Sequence, residues 1–115
     1  MTKIIHTITI NRYSAKAVGC ALQLVLGTYG SYGIEQLQIY TDETWDGLLI
    51  TANFVTRNGV TSVVVPSSGL IDVPPEATAS PGMGNIVIDG TADGQRIYSV
   101  NVPYIVLDHA DVDGA

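Results

Sequence analysis

The chain has 115 residues, 46% of them hydrophobic and 14% charged. That balance excludes intrinsic disorder, which needs low hydrophobicity and high net charge. The net charge is −6, and the five basic residues, Lys3, Arg12, Lys16, Arg57 and Arg96, are scattered. Without a basic patch to displace phosphate counterions, nucleic acid is not an expected partner, and anionic membrane surfaces are disfavoured for the same reason. The length fits one domain, with about two-thirds of the unfolded surface buried on folding. A single cysteine, Cys20, allows no internal disulfide, so production in a reducing cytoplasm is expected.

The N-terminal MTKIIHTITINRYSAK lacks the apolar core of a signal peptide. Within it Ile4, His6, Ile8 and Ile10 share one face of a strand, although Ile5 interrupts the pattern. Residues 17–26 place Val18, Cys20, Leu22, Leu24 and Leu26 on one side, which predicts a second strand; a helix is the rival, weakened by Gly19. This apolar run is too short to span a bilayer, and no membrane insertion is expected. GTYGSYG, residues 27–33, is a glycine-rich loop. IEQLQIY alternates, with Leu37 and Ile39 opposite Gln36 and Gln38. LLITANFV gathers Leu48, Ile50, Ala52 and Phe54, and Asn58-Gly59 then turns the chain into VTSVVVP, so 48–65 predicts a hairpin. Four prolines, at 66, 74, 75 and 81, break the next section, leaving GLIDVP as a short strand. GNIVIDG, residues 84–90, is a strand. Asp93-Gly94 signals another hairpin, and QRIYSVNVPYIVL is the last long strand, where Pro103 suggests a bulge or an edge.

About eight short strands punctuated by turns predict an all-β fold, an antiparallel β-sandwich, Ig-like or jelly-roll-related. Residues 1–107 form the single domain and 108–115 an acidic C-terminal tail.

Reaction chemistry finds little support. Asp108, His109, Asp111 and Asp113 contain ligand-type side chains, but a solvated tail explains them equally, and no metal or other cofactor is expected. Cys20 on an apolar face is an inert thiol. The carboxylate pairs Glu43 with Asp46 and Glu35 with Asp42 suit solvated turns better than a glycosidase cleft, and no G-x-S-x-G occurs. No enzyme is expected. The residues left for interaction are Tyr29 and Tyr32 in the glycine loop and Trp45, the only tryptophan. Tyr29 and Tyr32 either form a binding tip or pack back on the sheet. Trp45 is read first as an anchor over the end of the core, its N–H reaching the turn backbone, and second as an exposed binding residue.

The ordered motifs Trp45-Asp46-Gly47-Leu48-Leu49-Ile50-Thr51-Ala52-Asn53-Phe54, Ile71-Asp72-Val73-Pro74-Pro75-Glu76, Pro81-Gly82, Ile86-Val87-Ile88-Asp89-Gly90 and Arg96-Ile97-Tyr98 carry a resemblance across residues 34–107. Together they resemble the N-terminal β-sandwich domains of tailed-bacteriophage fibre and baseplate proteins. The resemblance implies a virion structural protein that docks on the particle, at baseplate, tail fibre or capsid. Its partners would be other virion proteins and copies of itself. A host-surface or carbohydrate-binding module, using the tyrosine loop and Trp45, is the alternative.

Overall fold

The computed structural model describes residues 3–19, 24–30 and 33–108. Among these residues there are nine strands: β1 (Ile4–Asn11), β2 (Ser14–Ala17), β3 (Leu24–Thr28), β4 (Glu35–Thr41), β5 (Leu49–Thr56), β6 (Gly59–Val64), β7 (Leu70–Asp72), β8 (Gly82–Ala92) and β9 (Gln95–Leu107). Two 3-10 turns, Glu43–Trp45 and Pro75–Thr78, are the helical elements among the described residues. The strands form a four-stranded sheet, β2-β1-β4-β7, and a five-stranded sheet, β3-β9-β8-β5-β6. The fold is an all-β sandwich, as expected.

Side-chain alternation decides which residues enter the space between the sheets. The first sheet contributes Ile8, Ile10, Leu37, Ile39 and Ile71; the second contributes Leu24, Leu26, Ala52, Phe54, Ile86, Ile88, Val100, Val102 and Val106. Gln36 and Gln38 point outward, where they bond Asp72 Oδ1 at 2.9 Å and the Ser68 carbonyl at 2.8 Å.

Three expectations need correction. First, the sandwich is mixed, because β1 pairs parallel with β4 and β3 pairs parallel with β9. Parallel neighbours need a crossover rather than a tight turn. The chain makes one when it leaves the first sheet after β2, enters the second as β3 and returns as β4. Second, 17–26 is not one strand. Ala17 ends β2 and Gly19 takes a left-handed φ of +82° in a turn, while β3 starts at Leu24 in the other sheet. Cys20 and Leu22 lie outside the described residues. Third, β9 is interior, and its irregularity is not at Pro103. The β8–β9 register shifts where Gly90 pairs Tyr98 and Thr91 pairs Arg96, making Ile97 the extra residue. Pro103 lies opposite Asn85 of β8 in a stretch of that ladder without a shift.

Both predicted hairpins form. Asp93 and Gly94 both have positive φ, +53° and +75°, the geometry of a type I′ turn. In the β5–β6 hairpin the left-handed residue is Gly59 alone, at +128°, with Thr56 paired to it across Arg57 and Asn58.

Candidate interaction site

Trp45 ends the 3-10 turn that follows β4. Asp42 caps that turn, its Oδ1 accepting from the Thr44 backbone N–H at 3.0 Å, which suits a short polar side chain at a helical start. The turn drops the indole over the end of the core, where it is 1% exposed. Gly90 makes room for it, since a Cβ there would meet the indole Cε3 and Cζ3 atoms at 2.9 Å. The ring is therefore an anchor and is not on the surface. The expected bond to the turn backbone is absent: the buried Nε1 has no hydrogen-bond partner.

Trp45 starts a short aromatic series leading outward. Tyr98 stacks on it, with ring centroids 5.5 Å apart and planes at 28°. Tyr13 meets Tyr98 edge to face at 5.8 Å and is 77% exposed. The Arg12 guanidinium lies 6.0 Å from the Tyr13 ring centroid, at the outer limit for cation–π attraction. Tyr13 and Arg12 form the β1–β2 turn, between the paired residues Asn11 and Ser14. The cleft beside Tyr13 is open and is lined by Asn11, Arg12, Ser14, Asp42, Glu43 and Thr44. A flat aromatic edged by hydroxyl, amide, carboxylate and guanidinium groups is chemically suited to polar ligands with an apolar face. Sequence reasoning missed Tyr13 and Tyr98. Neither sits in a glycine-rich loop, and only the ring contacts connect them to Trp45.

The structure does not bring the sequence-selected residues together. Tyr29 follows β3, and its backbone N–H donates to the Leu107 carbonyl at 2.8 Å. Trp45 stacks on Tyr98, nine residues earlier in β9, about 30 Å along an extended strand. Tyr29, 38% exposed, is held by its bond to Leu107 at the far end of β9 from the residue that Trp45 stacks on. Tyr32 lies outside the described residues.

The titratable groups are dispersed. His6 Nε2 and Glu35 Oε1 are 2.5 Å apart at one edge of the core, both largely buried. Glu35 opens β4 and Asp42 follows its last residue, about 20 Å apart along the strand, too far for a shared glycosidic bond. Glu43 and Asp46 are exposed at the two ends of the Trp45 turn. Tyr104 is buried against Gly84 and its hydroxyl donates to the Ala77 carbonyl at 2.8 Å; burial pushes its pKa up to about 12. Among the described residues no three His, Cys, Asp or Glu side chains stand together as a metal-holding group, and no helix is long and apolar enough to cross a membrane. Of the tail cluster only Asp108 is described.

No protein-family model matches the chain, and no curated protein matches it. Among solved structures it is similar to the N-terminal domain of phage TP901-1 ORF48. That likeness has a TM-score of 0.55 and 16% sequence identity, and it covers 93% of this chain and 99% of that one. At such identity the shared property is the fold, which extends over nearly the full length of both chains.

Proposed function

We propose that the chain is a structural module of a bacteriophage virion. It docks onto the particle and carries out no catalysis. The observation that carries this reading is the end-to-end fold likeness to a domain of a phage protein. The ordered sequence motifs of residues 34–107 support it independently, because they resemble particle-attachment domains. The composition suits the role: low charge, no reliance on disulfides and a two-sheet core leave rigid sheet surfaces and edges for neighbouring proteins. The site of docking is baseplate, tail fibre or capsid, and the partners are other virion proteins.

The test is co-purification. Particles from the phage genome that encodes the chain are banded on a density gradient and probed by mass spectrometry. A fixed copy number per particle supports the reading, and a chain found only in the unassembled fraction contradicts it.

A second reading has one observation in its favour, the exposed Tyr13 beside its polar cleft. In this reading the module also holds a host-surface glycan or protein at that end. Binding of host cell-wall polysaccharide that is lost in Tyr13→Ala, with the fold intact, supports it.

A further inference from the structure

Two sheets have four edge strands, and an open edge invites pairing with another chain unless something blunts it. Three edges here are blunted. β2 carries Lys16 and has four residues. β7 has three residues and ends in Asp72. β3 is irregular, its register to β9 shifting between Val25 and Thr28. The fourth edge, β6, has none of these devices. Its six residues, GVTSVV, contain no charge and no proline, and its ladder to β5 runs from Thr51–Val64 to Thr56–Gly59 without a shift. In a chain of net charge −6, a strand with no charged side chain puts no like charges directly opposite one another when two copies pair; Glu76 stands beside its Gly59–Thr61 end.

The direction of the free hydrogen-bonding groups follows from the ladder. Val65 donates to the Ile50 carbonyl at 2.9 Å. In an antiparallel ladder every second pair exchanges such bonds, so Val63, Thr61 and Gly59 face β5 as well. Val60, Ser62 and Val64 then turn their N–H and C=O groups to the open side. Val60 and Val64 are 62% and 61% exposed.

We propose that β6 is a self-pairing edge, joining two copies antiparallel about a two-fold axis at Ser62 and fusing their five-stranded sheets into one. In this register Val60 of each copy faces Val64 of the other and Ser62 faces Ser62. The three pairs exchange about six backbone hydrogen bonds. The valines pack across the junction, a favourable cross-strand pair on each side. The same edge serves both partners, so the contact is isologous and closes as a dimer. The proposal rests on the edge and holds whether or not the virion reading does.

The experiment uses the full chain. Light scattering after size exclusion gives twice the 12.2 kDa chain mass for the wild type. Ser62→Lys, which places two ammonium groups on the axis, gives the chain mass with an unchanged far-ultraviolet circular dichroism spectrum. Cysteine cross-linking reads the register even if that variant folds poorly. Across the axis the Ser62 Cα atoms are about 5.5 Å apart, within the roughly 4.4–6.8 Å reach of a disulfide. Two Val60 Cα atoms are separated by about 13 Å along the strands. Ser62→Cys therefore cross-links to itself, Val60→Cys does not, and a mixture of Val60→Cys with Val64→Cys does. Peptide mapping separates these bonds from any to Cys20. The proposal is overturned by a wild-type chain that stays at its single mass, including one whose edge takes up a strand of a different protein. Dimers that survive Ser62→Lys, or Val60→Cys that cross-links to itself as readily as Ser62→Cys, also overturn it.

Discussion

Replacing Trp45 with alanine separates the anchor role from a binding role. The indole is 1% exposed and lies over Gly90 and against Tyr98. A large aromatic buries roughly 200 Å², which at about 25 cal/mol per Å² corresponds to about 5 kcal/mol. Measured losses for such truncations are about 3–5 kcal/mol. The unpartnered Nε1 works the other way, since a buried unsatisfied donor costs about 1–3 kcal/mol and alanine removes it. The net expectation for Trp45→Ala is a loss of about 3 kcal/mol. At roughly 4 °C per kcal/mol for a chain of this length, the melting temperature falls by about 12 °C. Trp45→Phe refills most of the space and carries no N–H, so its cost is smaller, about 1–2 kcal/mol. Guanidinium titration followed by circular dichroism measures both without relying on the lost fluorophore. A melting temperature unmoved by Trp45→Ala, with partner binding abolished, would refute the anchor and make the ring an interface residue. Equal losses for Ala and Phe would refute the packing contribution of the ring, since neither variant carries the N–H and only Phe refills the space.

Gly90→Ala is expected to destabilise by about 1–3 kcal/mol, because the new methyl overlaps the indole edge and Leu48 Cδ1; thermal melts check it. Gly94→Ala forces a left-handed φ of +75° on a side chain and costs about 1–2 kcal/mol, seen as a lower denaturation midpoint. Tyr104 predicts a pH dependence. Burial raises its folded pKa to about 12 from the ordinary tyrosine value of 10.0, so its contribution is complete below pH 10 and declines as pH rises towards 12. Denaturant titrations across that range show a falling stability in the wild type and a flatter profile in Tyr104→Phe. An equal slope in the two proteins contradicts the assignment.

Side-chain alternation made much of this fold legible. Leu37 and Ile39, Ala52 and Phe54, Ile86 and Ile88 all face the core where period two places them, and Asp93-Gly94 forms the turn its residue types favour. Strand direction was not legible, because alternation is the same whichever way a neighbour runs, and the parallel pairings of β1 with β4 and β3 with β9 depend on crossovers that change sheets. The break at Gly19 was hidden because apolar residues continue on both sides of it while serving different sheets. The interaction site was the least legible part. Trp45 lies over the core, where the turn residues around it point, but its contact with Tyr98 depends on the Ile97 bulge and on the missing side chain at Gly90. Tyr13 reaches the same cluster from a turn that has no glycine to mark it.

The central claim is that this sandwich is a part of a phage particle gripped by its neighbours. Electron cryomicroscopy of intact particles tests it most directly. The account predicts density for a four-stranded and a five-stranded sheet, with Trp45 over Gly90, at a repeated position in contact with other virion proteins. Fully interpreted particles with no such density at any position would contradict it.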